Sequence, residues 1–361
     1  MLFKFLIAAG TAANARSFGC AQDDKFFGAL LENHRAAVSN LANSAFALKN
    51  ILARAYASMK IRARFMTILV LQHPIQEGQR SYLIQPISEE WERLGHRVIF
   101  HHGVKKCPPA DLLILHVDLS LVPREYFKVA ARYPKVINLG IADIRKTAYS
   151  RNRVRPEDGY TGPVIVKSAL NFGGMPEEKV RGVKPRSFTG KMRKSIALLR
   201  EALEMRGDRG PRILGKESYR VYARRDEVPD EWCESKRVVV ERFRPERDGE
   251  KYVLREWYFL GDCEWTYCET SDDPIFTSGD KCPHLLRPVP EQLRKIRGEL
   301  GIDYGKMDFA FAENGEPVLY DVNKTIGVWS WTSLLLPEMI ETLAPGLASY
   351  VALPRAHEAP V

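Results

Sequence analysis

The sequence predicts a mixed α/β protein in which a small parallel α/β domain precedes two strand-rich α+β subdomains. Three observations carry this expectation. From Met66 to about Gly140, short apolar runs alternate with amphipathic helical segments, the pattern of a parallel sheet covered by helices. From Gly162 the chain turns rich in valine and aromatic strands. Finally, Gly261-Asp262 and Asn314-Gly315 each sit between alternating apolar runs, the signature of β-hairpins.

The chain has 361 residues, 45% hydrophobic and 27% charged, enough for a sizeable core and more than one domain. Of the net charge of +9, residues 1–65 hold nine Lys and Arg against three Asp and Glu, or +6. The basicity belongs mainly to that leading segment, so a nucleic-acid partner is not expected. Its opening, with Lys4 and a short apolar stretch before Ala13-Asn14-Ala15, imitates a signal peptide. The apolar core is short and interrupted by glycine. Residues 1–65 are therefore expected to be a disordered or mistranslated extension, with Met59 or Met66 as the native start. No apolar run is long enough for a membrane span. The six cysteines are scattered without a CxxC pair, so reduced thiols and a cytoplasmic location follow.

The first domain, 66–141, is expected to contain the runs MTILVLQ, RVIFHH, DLLILHV and KVINLG, with helices near Ser88–Leu94 and Pro123–Tyr133. It lacks GxGxxG after its first strand, which argues against a dinucleotide fold. A polar helical stretch is expected over Ala142–Arg155, then the strand VIVK ending in Lys167. Lys167 followed by Gly173-Gly174 suggests a phosphate cradle, because glycine lets backbone amides approach phosphate oxygens. Residues 178–215 read as a basic helical insertion with a solvated face. The strand VVVERFRPE follows from Val238, and the hairpin turning at Gly261-Asp262 places Arg255 and Trp257 on one face, Glu256 and Tyr258 on the other. Cys263 and Cys268 then fall on opposite faces, against a zinc site using both with Cys282 and His284.

The segment Gly305–Gly327 carries the strongest signal. With Asn314-Gly315 as a two-residue turn, Asp308 lies across from Asp321 and Lys306 across from Asn323. Met307, Phe309, Phe311, Val318, Tyr320 and Val322 share the core face, and Lys306, Asp308, Asp321 and Asn323 the other. Carboxylates opposed across a ladder destabilise a sheet unless a cation neutralises them. Lys306 could be that cation, or two carboxylates and an amide oxygen could hold Mg²⁺ together with phosphate oxygens.

VIVK with its Gly-Gly loop, VVERFRPE, LREWYFLGD, DYGKMDFAF and LYDVNKTIG stand in an order and spacing that resembles the ATP-grasp superfamily. That superfamily includes D-alanine:D-alanine ligase, glutathione synthetase and ribosomal-protein glutamate ligases. The resemblance runs from about Met66 to Trp331. It implies an ATP-grasp fold, with a pre-grasp domain and two subdomains, 142–240 and 241–347, clasping ATP before a tail at 348–361. By the same resemblance, Lys146 and Lys167 grip phosphates, and Glu241, Arg242, Phe243 and Arg244 form the adenine hinge. Glu246 meets the ribose, and Asp308, Asp321 and Asn323 bind Mg²⁺, with Mn²⁺ as a substitute. Arg255 and Lys306 take catalytic, electrostatic roles. Asp321 replaces a common glutamate, Lys306 a common arginine and Ile326 a common proline, which leaves the acceptor open. The implied activity is ATP-dependent ligation of small-molecule or peptide carboxylates to amines through an acyl-phosphate. The alternatives are a kinase-like phosphotransferase and a non-catalytic nucleotide-binding protein. Asp321→Asn is expected to impair magnesium-dependent nucleotide binding while sparing the fold, because it relieves carboxylate repulsion.

Overall fold

The apolar runs of the first domain become the strands of one parallel sheet. In the computed structural model, residues 65–79, 81–183, 188–277, 279–328 and 334–351 are described; the expectations for residues 1–64 and for the end of the tail lie outside them. Strand β1 (Thr67–Gln72), helix α1 (Ile84–Arg93), strands β2 (Arg97–His102) and β3 (Leu112–Leu115), helix α2 (Arg124–Ala130) and strand β4 (Val136–Ile137) give the sheet order β2-β1-β3-β4. Helix α1 begins before Ser88 because Ile84, Ile87 and Trp91 form one buried stripe. Gly95, at φ 98°, ends it. Strand β4 is shorter than the run KVINLG because Asn138 leaves the ladder at φ 66°. Its side chain donates to the Tyr304 carbonyl at 2.9 Å and accepts from the Asp303 and Tyr304 amides.

The helix expected over Ala142–Arg155 is reduced to one turn, α3 (Lys146–Tyr149). Its two end residues are buried and held by tertiary partners rather than by a continuing helix. Strand β5 (Val164–Ser168), helices α4 (Met175–Gly182) and α5 (Phe188–Glu204), strand β6 (Arg220–Tyr222), helix α6 (Asp230–Cys233) and strand β7 (Val238–Arg242) follow. Their antiparallel sheet has the order β6-β5-β7, and α4 and α5 supply the helical insertion.

A second antiparallel sheet holds the remaining strands: β8 (Glu246–Asp248), β9 (Lys251–Leu260), β10 (Cys263–Ser271), β11 (Asp280–Lys281), β12 (Tyr304–Phe311) and β13 (Pro317–Asn323), with α7 (Glu291–Leu300) between β11 and β12. Its order is β11-β10-β9-β12-β13, with β8 beside β9. Helices α8 (Leu336–Leu343) and α9 (Ala348–Val351) close the described chain. The Gly261-Asp262 turn pairs Leu260 with Cys263 as expected, Gly261 taking φ 53°. Among the described residues, no helix is long and apolar enough to cross a membrane.

The β12–β13 hairpin departs from its expected form in two places. Its loop has three residues, Glu313–Gly315: the Ala312 amide donates to the Glu316 carbonyl at 2.9 Å, and only Gly315 is left-handed, at φ 80°. Nearer the base, Asp308 faces Asp321 but Phe309 faces Leu319, so Tyr320 is the extra residue of a β-bulge. The bulge cancels the register shift introduced by the loop. Asp308 therefore opposes Asp321, and Lys306 opposes Asn323, as expected. Tyr320 does not take its expected place on the core face; Leu319 packs there with Trp257, Met307, Phe309 and Val322.

The core also ties the parallel sheet to the later chain. Trp91 packs in one cluster with Ile68, Tyr258, Tyr304 and Leu343, and its indole N–H donates to the Ala344 carbonyl at 2.9 Å. Asp118, after β3, receives the Tyr82 hydroxyl and the Thr325 hydroxyl, both at 2.7 Å. Trp91→Ala removes a fully buried indole and orphans that carbonyl. It should cost about 3–5 kcal/mol, read as a lower urea midpoint at unchanged slope; a cost below about 1 kcal/mol would contradict this packing role.

Candidate functional site

Opposition of Asp308 and Asp321 on one face of β12–β13 places two carboxylates where α3 and β5 bring lysines toward them. Between the two antiparallel sheets lies a cleft of about 760 Å³, counting the part open to solvent. Its wall divides by chemistry. Ile165, Phe243, Pro245, Leu254, Ile275 and Phe276 supply apolar surface, and Lys146, Lys167, Lys216, Asp308 and Asp321 supply charge.

Each carboxylate has its own lysine. Lys146, 1% exposed, lies with Nζ 3.1 Å from Asp321 Oδ1, the same oxygen that accepts from the Tyr149 hydroxyl at 3.1 Å. Lys306 Nζ sits 2.9 Å from Asp308 Oδ1 and also pairs with Glu256. Lys167 pairs with buried Glu241 and donates to the Tyr320 carbonyl at 3.1 Å. That carbonyl belongs to the bulge residue, and the Tyr320 hydroxyl donates to the Arg244 carbonyl at 2.9 Å. The bulge thus links the lysine strand, the hinge after β7 and the acidic hairpin.

Burial and charge pull the two acids apart. Burial pushes the Asp308 carboxyl above the usual carboxylate range, Lys306 opposing it and Glu256 adding to it. Burial would also raise Asp321, but Lys146, then Lys216 and Lys167, outweigh it and hold that carboxyl below its ordinary value. Burial lowers Lys146, but Asp321, with Tyr219 and Glu241, together outweigh it and hold the ammonium above the ordinary lysine range.

The cleft brings together Lys146, Lys167, Glu241, Arg242, Phe243, Arg244, Asp308 and Asp321. It does not bring Glu246, Arg255, Lys306, Asn323, Gly173 or Gly174 to its wall. Arg255 is 3% exposed and grips Glu246 with two hydrogen bonds of 2.8 and 2.6 Å. It pairs in register with Phe309, on the face of the sheet opposite Asp308. Glu246 also accepts from the Phe311 amide at 2.9 Å, so this pair closes on itself. Asn323 extends the acidic face beside Lys306. In the hinge, the Arg242 and Phe243 amides donate to Asn152 and Pro163 carbonyls, and the Arg242 and Arg244 carbonyls accept from side chains. Among the described residues, the Phe243 carbonyl and the Arg244 amide make no hydrogen bond.

Gly173 and Gly174 act at one remove. Both are left-handed, at φ 61° and 78°, and a Cβ on Gly173 would fall 2.2 Å from the Gly215 amide nitrogen. Gly173 thereby sets where Gly215, and so Lys216, lies. Lys216 is a site residue that the sequence reading missed, since it follows a loop glycine outside any strand pattern. Tyr149 and Glu256 were missed as well; only the alternation that put Glu256 opposite Arg255 in facing pointed to it.

The cleft wall sets two carboxylates and three lysines beside an apolar surface. Asp308 Oδ1 is buried, with the Lys306 ammonium 2.9 Å away as its counter-charge. Among the described residues no three His, Cys, Asp or Glu side chains form a metal cage. Two carboxylates suit a hard divalent ion that keeps water and phosphate oxygens as its other ligands.

No family model and no curated protein matches the sequence. Solved structures to which it is similar include an ATP-grasp RimK-domain protein from Sphaerobacter thermophilus DSM 20745, at 15% identity over 79% of this chain and 99% of that one, TM-score 0.41. The macrocyclase MdnB from Microcystis aeruginosa MRC is 12% identical over 80% of this chain and 99% of that one, TM-score 0.36. N5-carboxyaminoimidazole synthetase from Staphylococcus aureus, solved with ADP, is 11% identical over 81% of this chain and 79% of that one, TM-score 0.41.

The ion pairs reverse one expectation. Asp321→Asn does more than relieve repulsion: it strands the buried Lys146 ammonium and should cost about 3–5 kcal/mol. A carboxyl held low stabilises the fold above its unfolded value, about 3.9, and that increment disappears as pH falls through the lower folded value. Wild type should therefore lose an acid-sensitive part of its stability that Asp321→Asn lacks, measured as melting temperature against pH. Asp308→Asn should leave stability at neutral pH unchanged or raised, because Lys306 keeps Glu256. Equal losses in both variants would refute the separate pairing. Gly173→Ala, forced against Gly215, should displace Lys216 and lower the melting temperature; an unchanged value would contradict the close approach.

Proposed function

We propose that the chain is an ATP-grasp enzyme, a magnesium-dependent ligase that activates a carboxylate as its acyl-phosphate for attack by an amine. The observation that carries this reading is the convergence of Lys146, Lys167 and Lys216 with the opposed Asp308 and Asp321 in a cleft that also has an apolar wall. Lysines suit phosphate oxygens as point charges, and the carboxylates suit a hard divalent ion.

In this reading Phe243, Ile165 and Leu254 flank the base, and the free Phe243 carbonyl and Arg244 amide are the hinge groups available to it. Lys146, Lys167 and Lys216 would hold phosphates, and Asp308, Asp321 and Asn323 the magnesium ion. Bound magnesium would offset charge on the transferring phosphoryl oxygens, where the barrier to this chemistry lies. Asp321, kept ionised by Lys146, is a ready ligand, while Lys306 neutralises Asp308 until a divalent ion does so. The cations make the cleft electrostatically suited to the transfer without a protein nucleophile. Substrates of this class are small-molecule or peptide carboxylates and amines, and the reduced cysteines favour a cytoplasmic setting.

Calorimetry with MgATP should give binding that Asp308→Asn weakens about tenfold or more; unchanged affinity would remove the metal assignment. Amino acids, small peptides and sugar acids screened for ATP-dependent phosphate release should identify a pair consumed in step with phosphate. A stable phosphorylated acceptor would instead make the enzyme a phosphotransferase.

A further inference from the structure

Two thiols face each other across the outermost ladder of the second antiparallel sheet. Glu269 opposes Lys281 and Thr270 opposes Asp280, so the same register, carried one pair back, sets Cys268 opposite Cys282. The backbone agrees: the Cys282 amide donates to the Cys268 carbonyl at 3.0 Å. Opposed residues joined in this way have Cα atoms about 5.5 Å apart, inside the roughly 4.4–6.8 Å that a disulfide spans. Their side chains share a face as well. Cys282 Sγ lies 3.1 Å from Thr270 Oγ1, two residues along the strand from Cys268, and both cysteines pack in one small cluster with Val253. Cys263, the other cysteine of this sheet, opposes Leu260 instead.

The chain between these cysteines is part of the cleft. It leaves β10, sends Pro274, Ile275 and Phe276 to the cleft wall and returns as β11, an edge strand of two exposed residues. So short an edge resists local opening weakly, and Lys281 and Pro283 on either side of Cys282 are exposed. Both thiols are free, Cys268 2% and Cys282 6% exposed. Burial pushes the Cys268 thiol up to about 12, which keeps it protonated at rest. We propose that Cys268 and Cys282 form a reversible disulfide when β11 opens to a disulfide oxidant such as oxidised glutathione, fixing the root of the segment that carries Ile275 and Phe276 to the cleft. The Cys282 thiolate attacks the oxidant, giving a mixed disulfide and one glutathione thiolate, and Cys268 Sγ then displaces the second glutathione. The two protein thiols lose two electrons and two protons, and the oxidant becomes two thiols. This chemistry needs no nucleotide and stands apart from the ligase reading.

The full chain, incubated with oxidised glutathione and then alkylated, is mapped by mass spectrometry without reduction. The expected product is a peptide linked through Cys268 and Cys282, lighter than its reduced parts by two hydrogens and separated again by dithiothreitol. Amide hydrogen exchange over residues 272–277 should slow about tenfold or more on oxidation and recover on reduction, and in Cys282→Ser it should not respond to the oxidant. Persistence of both thiols, a link from either cysteine to Cys263, or mixed disulfides that go no further would each overturn the pairing in the wild-type chain alone. A link that leaves exchange over 272–277 unchanged, or a serine variant that slows equally, would overturn its role in fixing the segment.

Discussion

Two carboxylates facing each other across a sheet ladder are tolerated here because each is neutralised by a different lysine from a different part of the chain. Asp321 is held by Lys146 at 3.1 Å from the turn before β5, and Asp308 by Lys306 at 2.9 Å from its own strand. Buried charges are stable only when paired, so the second antiparallel sheet and the lysine-bearing elements cannot be placed independently. This constraint draws α3, β5 and β13 together and creates the cleft between the sheets.

The pairing also makes the two acids unlike each other. One is pushed up by burial and the other held down by three cations, so two residues of the same type differ in how readily they ionise. Around them, further residues act by position rather than by contact with the cleft. The Arg255–Glu246 pair ties β9 to β8 behind the sheet, and the left-handed Gly173 sets the path of the loop that carries Lys216. Helix α5 stands outside this network, held to α4 by charge.

The hairpin illustrates what sequence patterns can and cannot read. Asn314-Gly315 correctly marked the turn, and counting outward correctly opposed Asp308 with Asp321. The count succeeded because two irregularities cancel: a third loop residue shifts the ladder by one, and the bulge at Tyr320 shifts it back. Tyr320 was misplaced for the same reason, since alternation cannot detect a residue that leaves the ladder. The helix expected over Ala142–Arg155 is cut to the single turn α3 because burial of Lys146 and Tyr149 and their tertiary contacts overrode local propensity.

Residue types and periodicities alone determined the mixed α/β class, the hairpins, the buried lysine strand and the acidic pair, because each depends on spacing along a single segment. Tertiary structure decided which face of each strand meets the cleft. Arg255 and Glu256 are neighbours in sequence and equally charged in magnitude, yet one closes on Glu246 behind the sheet while the other joins Lys306 beside Asp308. That choice depends on which side of the sheet receives the opposing layer, and alternation within a strand carries no information about it.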